Sequence, residues 1–292
     1  MRAVLGGVAV VALAAVAGLW ITAPRTVAAA DLPAGDADRG AVAFGAAGCA
    51  SCHMAPGSED ADLLPGGRRF ASPFGTFVAP NISSHALEGI GAWTDAEVAS
   101  AIAHGTSPRG QHYYPAFPYA AYGLAETQDV ADIVAHLRTL PASDAPSLSH
   151  EVGFPWNVRL AIGGWKLLNL PEGWTGPAAS PEAERGRYIA EALAHCAECH
   201  TPRGALGGLD RSRWMAGAPN PSGEGTIPGI APDQLGWSES DIAYFLQTGL
   251  TPEFDSAGGS MAEVIASLSA LPESDLAAIA AYVAGLEPAG EE

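Results

Sequence analysis

Cysteine and histidine occur together at two places in the chain, each time in the order Cys-x-x-Cys-His. The first copy spans residues 49–53 and the second spans residues 196–200. Two cysteines three apart on a tight turn can reach the two vinyl groups on one edge of a porphyrin, and the next histidine can then bind the iron. The pattern predicts two covalently bound haems c. The predicted attachment residues are Cys49, Cys52, Cys196 and Cys199, and the predicted proximal iron ligands are His53 and His200.

Other uses of four cysteines explain the pattern less well. Two disulfides, a thioredoxin-like redox pair or a zinc ribbon would each employ cysteine pairs. None of these explains a histidine directly after each pair. Two matches at equivalent places in the chain also make a coincidence improbable, so haem attachment is the favoured interpretation.

The second iron ligand is predicted to differ between the two haems. Met261 is the only methionine in its loop and is the candidate distal ligand of haem 2. A thioether ligand raises the reduction potential of a haem. The alternative is that Met261 is a core residue. The first copy has Phe117 at the matching position, so His112 in the same loop is the tentative distal ligand of haem 1. The alternative is an open iron with His112 at the surface. Pro65 is considered as the carbonyl partner of the His53 ring.

The surroundings of the two motifs are similar, which indicates an internal duplication. Matching residues recur at nearly constant spacing: Arg39-Gly40 and Arg185-Gly186, Trp93 and Trp237, Gly105 and Gly249. Each copy is predicted to contain three helices, and the second helix begins at a capping box, Thr94 with Glu97 or Ser238 with Asp241. The predicted domains span residues 36–140 and 182–287. The intervening segment, 141–181, is rich in proline, glycine and tryptophan and is expected to pack between them.

The N-terminal residues 1–30 are predicted to be a signal peptide or a membrane anchor. Residues 3–23 carry no charge, which is about the ~20 apolar residues that span a bilayer. Residues 28–30 offer a small-residue cleavage site. Both interpretations place the rest of the chain on the periplasmic side of the cytoplasmic membrane, either anchored or secreted.

The charge balance excludes one class of partner. The chain has 32 acidic and 14 basic residues, a formal net charge of -18. Nucleic-acid binding needs lysine and arginine to replace counterions, so it is excluded. An acidic surface instead favours encounter with cationic proteins, or solubility alone.

Three segments resemble the cytochrome c subunits of bacterial membrane-bound alcohol, gluconate and aldehyde dehydrogenases. They are residues 74–83, 89–93 and 114–119, and the resemblance extends from about Asp36 to Leu286. It implies an all-α fold of two tandem class I cytochrome c domains after an N-terminal apolar helix. It also implies a dehydrogenase or a respiratory-chain redox protein as partner. Those subunits usually carry three haems and usually have methionine at the position of Phe117.

Two functions of different classes follow from these observations. The first is periplasmic electron transfer between a dehydrogenase and the respiratory chain, by a carrier or subunit with no catalytic residues of its own. The alternative is a di-haem peroxidase that uses an open haem 1. The sequence shows no obvious acid–base pair for peroxide chemistry. A thiosulfate-oxidising enzyme would need a further cysteine.

Overall fold

The computed structural model describes residue 13 and residues 16–221 and 225–289, and these are mostly helical. Residues 16–21 form a helical segment. A π-helical turn, Tyr188–Leu193, directly follows the α-helix that ends at Arg187, and a short 3₁₀ helix spans Arg211–Arg213. The α-helices that follow residue 30 are α1 Ala37–Ala46, α2 Cys49–His53, α3 Asp95–His104, α4 Tyr119–Tyr122, α5 Thr127–Leu137, α6 Ala161–Asn169, α7 Pro181–Arg187, α8 Ala197–His200, α9 Pro232–Leu235, α10 Glu239–Thr248, α11 Ser260–Leu268 and α12 Glu273–Ala284.

Two short antiparallel hairpins correct the prediction of an all-α fold. The first pairs β1 Arg69–Ser72 with β2 Gly75–Val78, with Phe70 opposite Phe77. The second pairs β3 Ala218–Pro219 with β4 Thr226–Ile227. Each hairpin lies in the long loop after a Cys-x-x-Cys-His motif. The strands are too short to show the alternating pattern by which a strand is predicted from sequence.

The first and last helices of each half cross in the same way. A methyl group built on Gly40 would lie 2.0 Å from the Asp132 carbonyl oxygen, and one built on Gly186 would lie 1.8 Å from that of Ala278. Glycine therefore lets α1 approach α5, and α7 approach α12, more closely than any side chain would permit. This equivalence agrees with the predicted duplication.

Each half has its own cluster of buried apolar side chains, and the predicted helix patterns account for much of both. The capping boxes at Thr94 and Ser238 are both complete, which confirms the predicted starts of α3 and α10. The predicted apolar stripes on the last helices are buried. They are Val130, Ile133, Val134 and Leu137 on α5, and Leu276, Ile279, Ala280 and Val283 on α12.

Segment 141–181 packs against both halves. Lys166 Nζ donates to the carbonyl oxygens of His104 (2.5 Å) and Gly105 (3.0 Å) in the first half. Trp165 Nε1 donates to the carbonyl oxygen of Leu206 (2.9 Å) in the second. Phe154 differs from the prediction that the aromatic residues of this segment are packed, because its side chain is 83% exposed.

Residues 1–12, 14 and 15 of the predicted N-terminal signal peptide or anchor lie outside the described residues. Over residue 13, residues 16–221 and residues 225–289, no helix is both long and apolar enough to cross a membrane. Within this part, Leu19, Trp20 and Ile21 are exposed.

Candidate haem sites

The two motifs lie on the short helices α2 and α8, and the histidine of each makes the same contact. His53 Nδ1 donates to the carbonyl oxygen of Pro80 at 2.8 Å, and His200 Nδ1 donates to that of Pro228 at 2.8 Å. A carbonyl can only accept, so each hydrogen bond fixes the proton on Nδ1 and leaves the lone pair of Nε2 for a metal. This is the orientation that an imidazole ligand requires.

Pro80 and Pro228 are site residues that the sequence analysis missed. The prediction that Pro65 holds the His53 ring was wrong. The hairpin formed by β1 and β2 turns the chain back, so that Pro80 and not Pro65 reaches Nδ1. The available signal was a proline at almost the same number of residues after each motif histidine. Only the fold shows that the chain turns back and brings the carbonyl of this proline to the histidine ring.

Both motif histidines favour the neutral form, which is the form that can bind a metal. Desolvation by the surrounding protein lowers the pKa of His53, against the opposing effect of the Pro80 carbonyl. Desolvation lowers the pKa of His200 in the same way, opposed by the Pro228 carbonyl. An imidazole with Nδ1 occupied and Nε2 unprotonated fits a haem iron, so the geometry of both sites suits the predicted group.

The four cysteines are free thiols, and their environments fit covalent attachment better than redox chemistry. Burial raises the pKa of Cys49 and of Cys196 to about 12 in each case. Burial also raises the pKa of Cys52 and of Cys199. A thioredoxin-like pair needs a thiol with a lowered pKa, because the thiolate is the nucleophile. The structure therefore argues against that alternative.

The distal candidate of the second site lies in the apolar cluster of the second half. Met261 is in the first turn of α11 and is partly buried. It packs against the same cluster of buried residues as Cys196. The fold therefore brings the two predicted residues into one environment, although they are far apart in sequence.

The first site differs in the corresponding loop. Phe117 packs against the cluster that also contacts Cys49 and Met54. His112 is buried, and its Nε2 lies 2.9 Å from the carbonyl oxygen of Thr22. Because Nε2 donates to that carbonyl, Nδ1 is the nitrogen left for a metal.

His112 is placed nearer the start of its loop than a direct counterpart of Met261 would be. It is paired with Thr106 in the same way that Ser256 is paired with Leu250 in the second half. Its Nδ1 is buried and has no hydrogen-bond partner among the described residues. The ligand role of His112 stays a prediction, now restricted to Nδ1.

Comparison with known proteins gives consistent matches. The Cytochrome c family matches residues 37–141. The chain is 52% identical to a diheme cytochrome c-type protein of Cereibacter sphaeroides, over 97% of each chain. It is 37% identical to the fructose dehydrogenase cytochrome subunit of Gluconobacter japonicus, over 82% of this chain and 50% of that subunit. It is 32% identical to the gluconate 2-dehydrogenase cytochrome c subunit of Pantoea cypripedii, over 89% of this chain and 62% of that subunit. The chain thus spans less than two thirds of these dehydrogenase subunits.

Proposed function

Because this chain belongs to the family of di-haem c-type cytochromes, which transfer electrons through two haems c, we propose that it takes electrons from a dehydrogenase and passes them to a redox protein of the respiratory chain. The similarities support electron transfer and give no support to the peroxidase alternative. The haem irons supply centres that alternate between the ferric and ferrous states. The protein supplies attachment, axial ligands and a low-dielectric environment.

Residue roles are proposed from the geometry of the two sites. Cys49 and Cys52 hold haem 1 by thioether bonds, and Cys196 and Cys199 hold haem 2. His53 and His200 are the proposed proximal ligands, Met261 is the proposed distal ligand of haem 2, and His112 is the proposed distal ligand of haem 1. The observation that carries the assignment is the repeated hydrogen bond from each histidine to a proline carbonyl at 2.8 Å.

The two halves are proposed to be tandem cytochrome c domains, over residues 36–140 and 182–287. The equivalent helix crossings at Gly40 and Gly186 support this division, as do the two apolar clusters, each formed mainly by one half. Segment 141–181 contacts both halves and would hold them together. Each domain then provides one complete haem-attachment loop.

Haem counting tests the assignment directly. A pyridine haemochrome assay on the mature protein should give two covalent haems per chain. Replacing Cys49 and Cys52 by alanine should remove one haem, and replacing Cys196 and Cys199 should remove the other. Met215→Leu is a matched control, because this methionine is fully buried in the second half and outside the motifs. A wild-type protein with one covalent haem would contradict the proposal.

Docking to the partner is proposed to depend on charge. The relatives named above are subunits of fructose and gluconate dehydrogenases, which supports a dehydrogenase as the donor. With a formal charge of -18, association with a cationic surface should slow as salt rises, since the Debye length is about 8 Å at physiological ionic strength. Stopped-flow reduction by the partner at increasing salt measures this effect. A rate independent of salt would point to apolar docking instead.

Periplasmic location and membrane attachment through residues 1–30 are also proposed. The exposed apolar side chains of Leu19, Trp20 and Ile21 support a lipid-facing segment. Thr22, at its end, packs against Gly163 of α6, a helix that exposes Leu167 and Leu168. Flotation of the full chain with lipid vesicles tests the proposal: recovery in the floating fraction supports it, and recovery only in the soluble fraction contradicts it.

A further inference from the structure

His195, the residue directly before the second motif, has a left-handed backbone with φ 42°. Its equivalent in the first half is Gly48, which precedes Cys49 and has φ 62°. This conformation is unfavourable for a residue with a Cβ atom and is open to glycine without that penalty. The second half therefore keeps an imidazole where glycine would be the less strained choice. Strain of this kind persists only where the surrounding structure holds the residue in place, so the contacts of the imidazole are informative.

The imidazole of His195 contacts the first half of the molecule. Its ring is edge-on to Tyr122, with centroids 5.5 Å apart and an interplanar angle of 80°. Tyr122 is buried, and its hydroxyl donates to the carbonyl oxygen of Ala47 at 2.7 Å. Ala47 is two residues before Cys49. A continuous series of contacts thus joins the attachment loop of haem 2 to that of haem 1.

In this series of contacts, the hydroxyl of Tyr122 keeps its proton and remains a hydrogen-bond donor. Burial raises the pKa of Tyr122 well above its ordinary value, so the hydroxyl remains protonated and donates. Ala47 is 1% exposed, and the neighbouring Ala46 packs within the apolar cluster of the second half. Both partners of the hydrogen bond are therefore buried where the two halves meet.

A second contact brings the same two sites together. Arg68 Nη1 donates to the carbonyl oxygen of Ser51 (2.5 Å), inside the first motif, and to Oε2 of Glu263 (2.6 Å), two residues after Met261. Arg68 thus links the first motif to α11, the helix that carries Met261.

We propose that His195 is a positioning residue that, through Tyr122, holds the two haem-attachment loops at a fixed separation and so sets the rate of electron transfer between the haems. This inference rests on the proposed function. With both haems bound, one iron would be oxidised from Fe(II) to Fe(III) while the other would be reduced from Fe(III) to Fe(II) by the same electron. No bond forms or breaks. The rate of such a reaction depends steeply on the relative placement of the two centres.

The test compares two replacements by glycine in the holoprotein. His195→Gly removes the ring and relieves the backbone strain. Phe254→Gly is the matched control, because Phe254 also has a left-handed backbone (φ 63°) but its side chain is 79% exposed. After a light pulse reduces one haem, the electron should equilibrate roughly tenfold more slowly, or worse, in His195→Gly, because small displacements are costly. The control should match the wild type.

Further readouts separate positioning from a merely structural role. His195→Gly should unfold at the same temperature as the wild type or higher, because the strain is gone, while the transfer rate falls. His195→Asn tolerates the same backbone and should reproduce the slow rate if the glycine variant folds poorly. An unchanged rate in protein that carries two haems would overturn the inference. Fewer than two haems in the wild type, measured by the haemochrome assay, would overturn the proposed function and this inference with it.

Discussion

In both halves of the chain a short helix presents its histidine to a proline carbonyl, His53 to Pro80 and His200 to Pro228, at the same distance of 2.8 Å. The loops that follow α3 and α10 are not matched in this way. By the spacing of the two halves, Phe117 corresponds to Met261, which lies in the first turn of α11, and His112 corresponds to Ser256. The two halves share the residues proposed to attach and orient the haems, and they differ at the residues expected to provide the second iron ligand.

The difference predicts two centres with unequal properties inside one fold. A thioether ligand favours ferrous iron and raises the potential, whereas a second imidazole gives a lower one. The residues before the motifs, Gly48 and His195, differ as well, and only His195 reaches across the junction. The two halves therefore differ in the residues expected to set the potential of each haem and in the contact between the two sites. The helices and loops that position the sites are alike.

The largest expected effect concerns His112, because losing an iron ligand changes the spin state completely. The buried, unpartnered Nδ1 motivates its assignment to haem 1. Electron paramagnetic resonance of the oxidised wild type should show two low-spin signals, and His112→Ala should convert one of them to high spin. His85→Ala is the control in the same half and should change neither. A high-spin signal already present in the wild type would end the assignment and leave haem 1 with an open position.

Adding a methyl group at the helix crossing should destabilise the two halves to a similar degree. Gly40→Ala and Gly186→Ala should each reduce the free energy of unfolding by about 3 kcal/mol, because the added methyl meets a backbone carbonyl at 2.0 Å or 1.8 Å. Gly164→Ala, in α6 with nothing within 4 Å of the new methyl group, should be neutral or stabilise by up to about 1 kcal/mol. Urea unfolding measures all three. A large loss in only one half would show that the crossings are not equivalent.

Sequence patterns predicted the parts of the site that depend on neighbours along the chain. The motifs in α2 and α8, the capping boxes and the stripes on α5 and α12 are all local, and each followed from residue type and spacing. The similarity of the two halves was also visible as repeated residues. What these features share is that a few adjacent side chains determine them.

Contacts between distant segments were not predictable in this way. Pro80 becomes the partner of His53 only because a hairpin of two four-residue strands returns the chain. The left-handed backbone of His195 has no sequence signature, and Tyr122 gives no sign that it faces His195 across the junction. The orientation of His112 towards Thr22 likewise depends on where segment 16–22 lies. Tertiary structure decides each of these.

Replacing the distal methionine should affect one half only. Met261→His should lower the potential of haem 2 by ~0.1 V or more, since axial ligands tune haem potentials over about 0.8 V. The potential of haem 1 should stay where it is. Met215→Leu serves as the control, because Met215 is a fully buried methionine of the same half. A spectroelectrochemical titration resolves the two haems; movement of haem 1 alone would show that Met261 is wrongly assigned.

The smallest expected effect compares the two capping boxes. Thr94→Ala and Ser238→Ala should each cost about 1 kcal/mol, because each hydroxyl accepts from the backbone amide three residues on. Hydrogen bonds from the backbone amide and then the hydroxyl of Thr94 hold the pKa of Glu97 below its ordinary value. The hydroxyl of Ser238, followed by its backbone amide, does the same for the pKa of Asp241.

These two carboxylates also give the boxes a pH dependence with a definite sign. A carboxyl whose pKa is lowered by folding stabilises the protein above its unfolded-state pKa, and this stabilisation is lost as the pH falls through the lowered value. Glu97→Gln keeps a side-chain acceptor in the box but cannot titrate. Unfolding by urea at neutral and at acid pH should therefore show a smaller acid-induced loss of stability for Glu97→Gln than for the wild type. Asp241→Asn should show the same reduction. Equal losses of stability in variant and wild type would mean that other carboxylates govern the acid response. If only one of the two substitutions reduced the loss, the halves would differ at their helix starts as well.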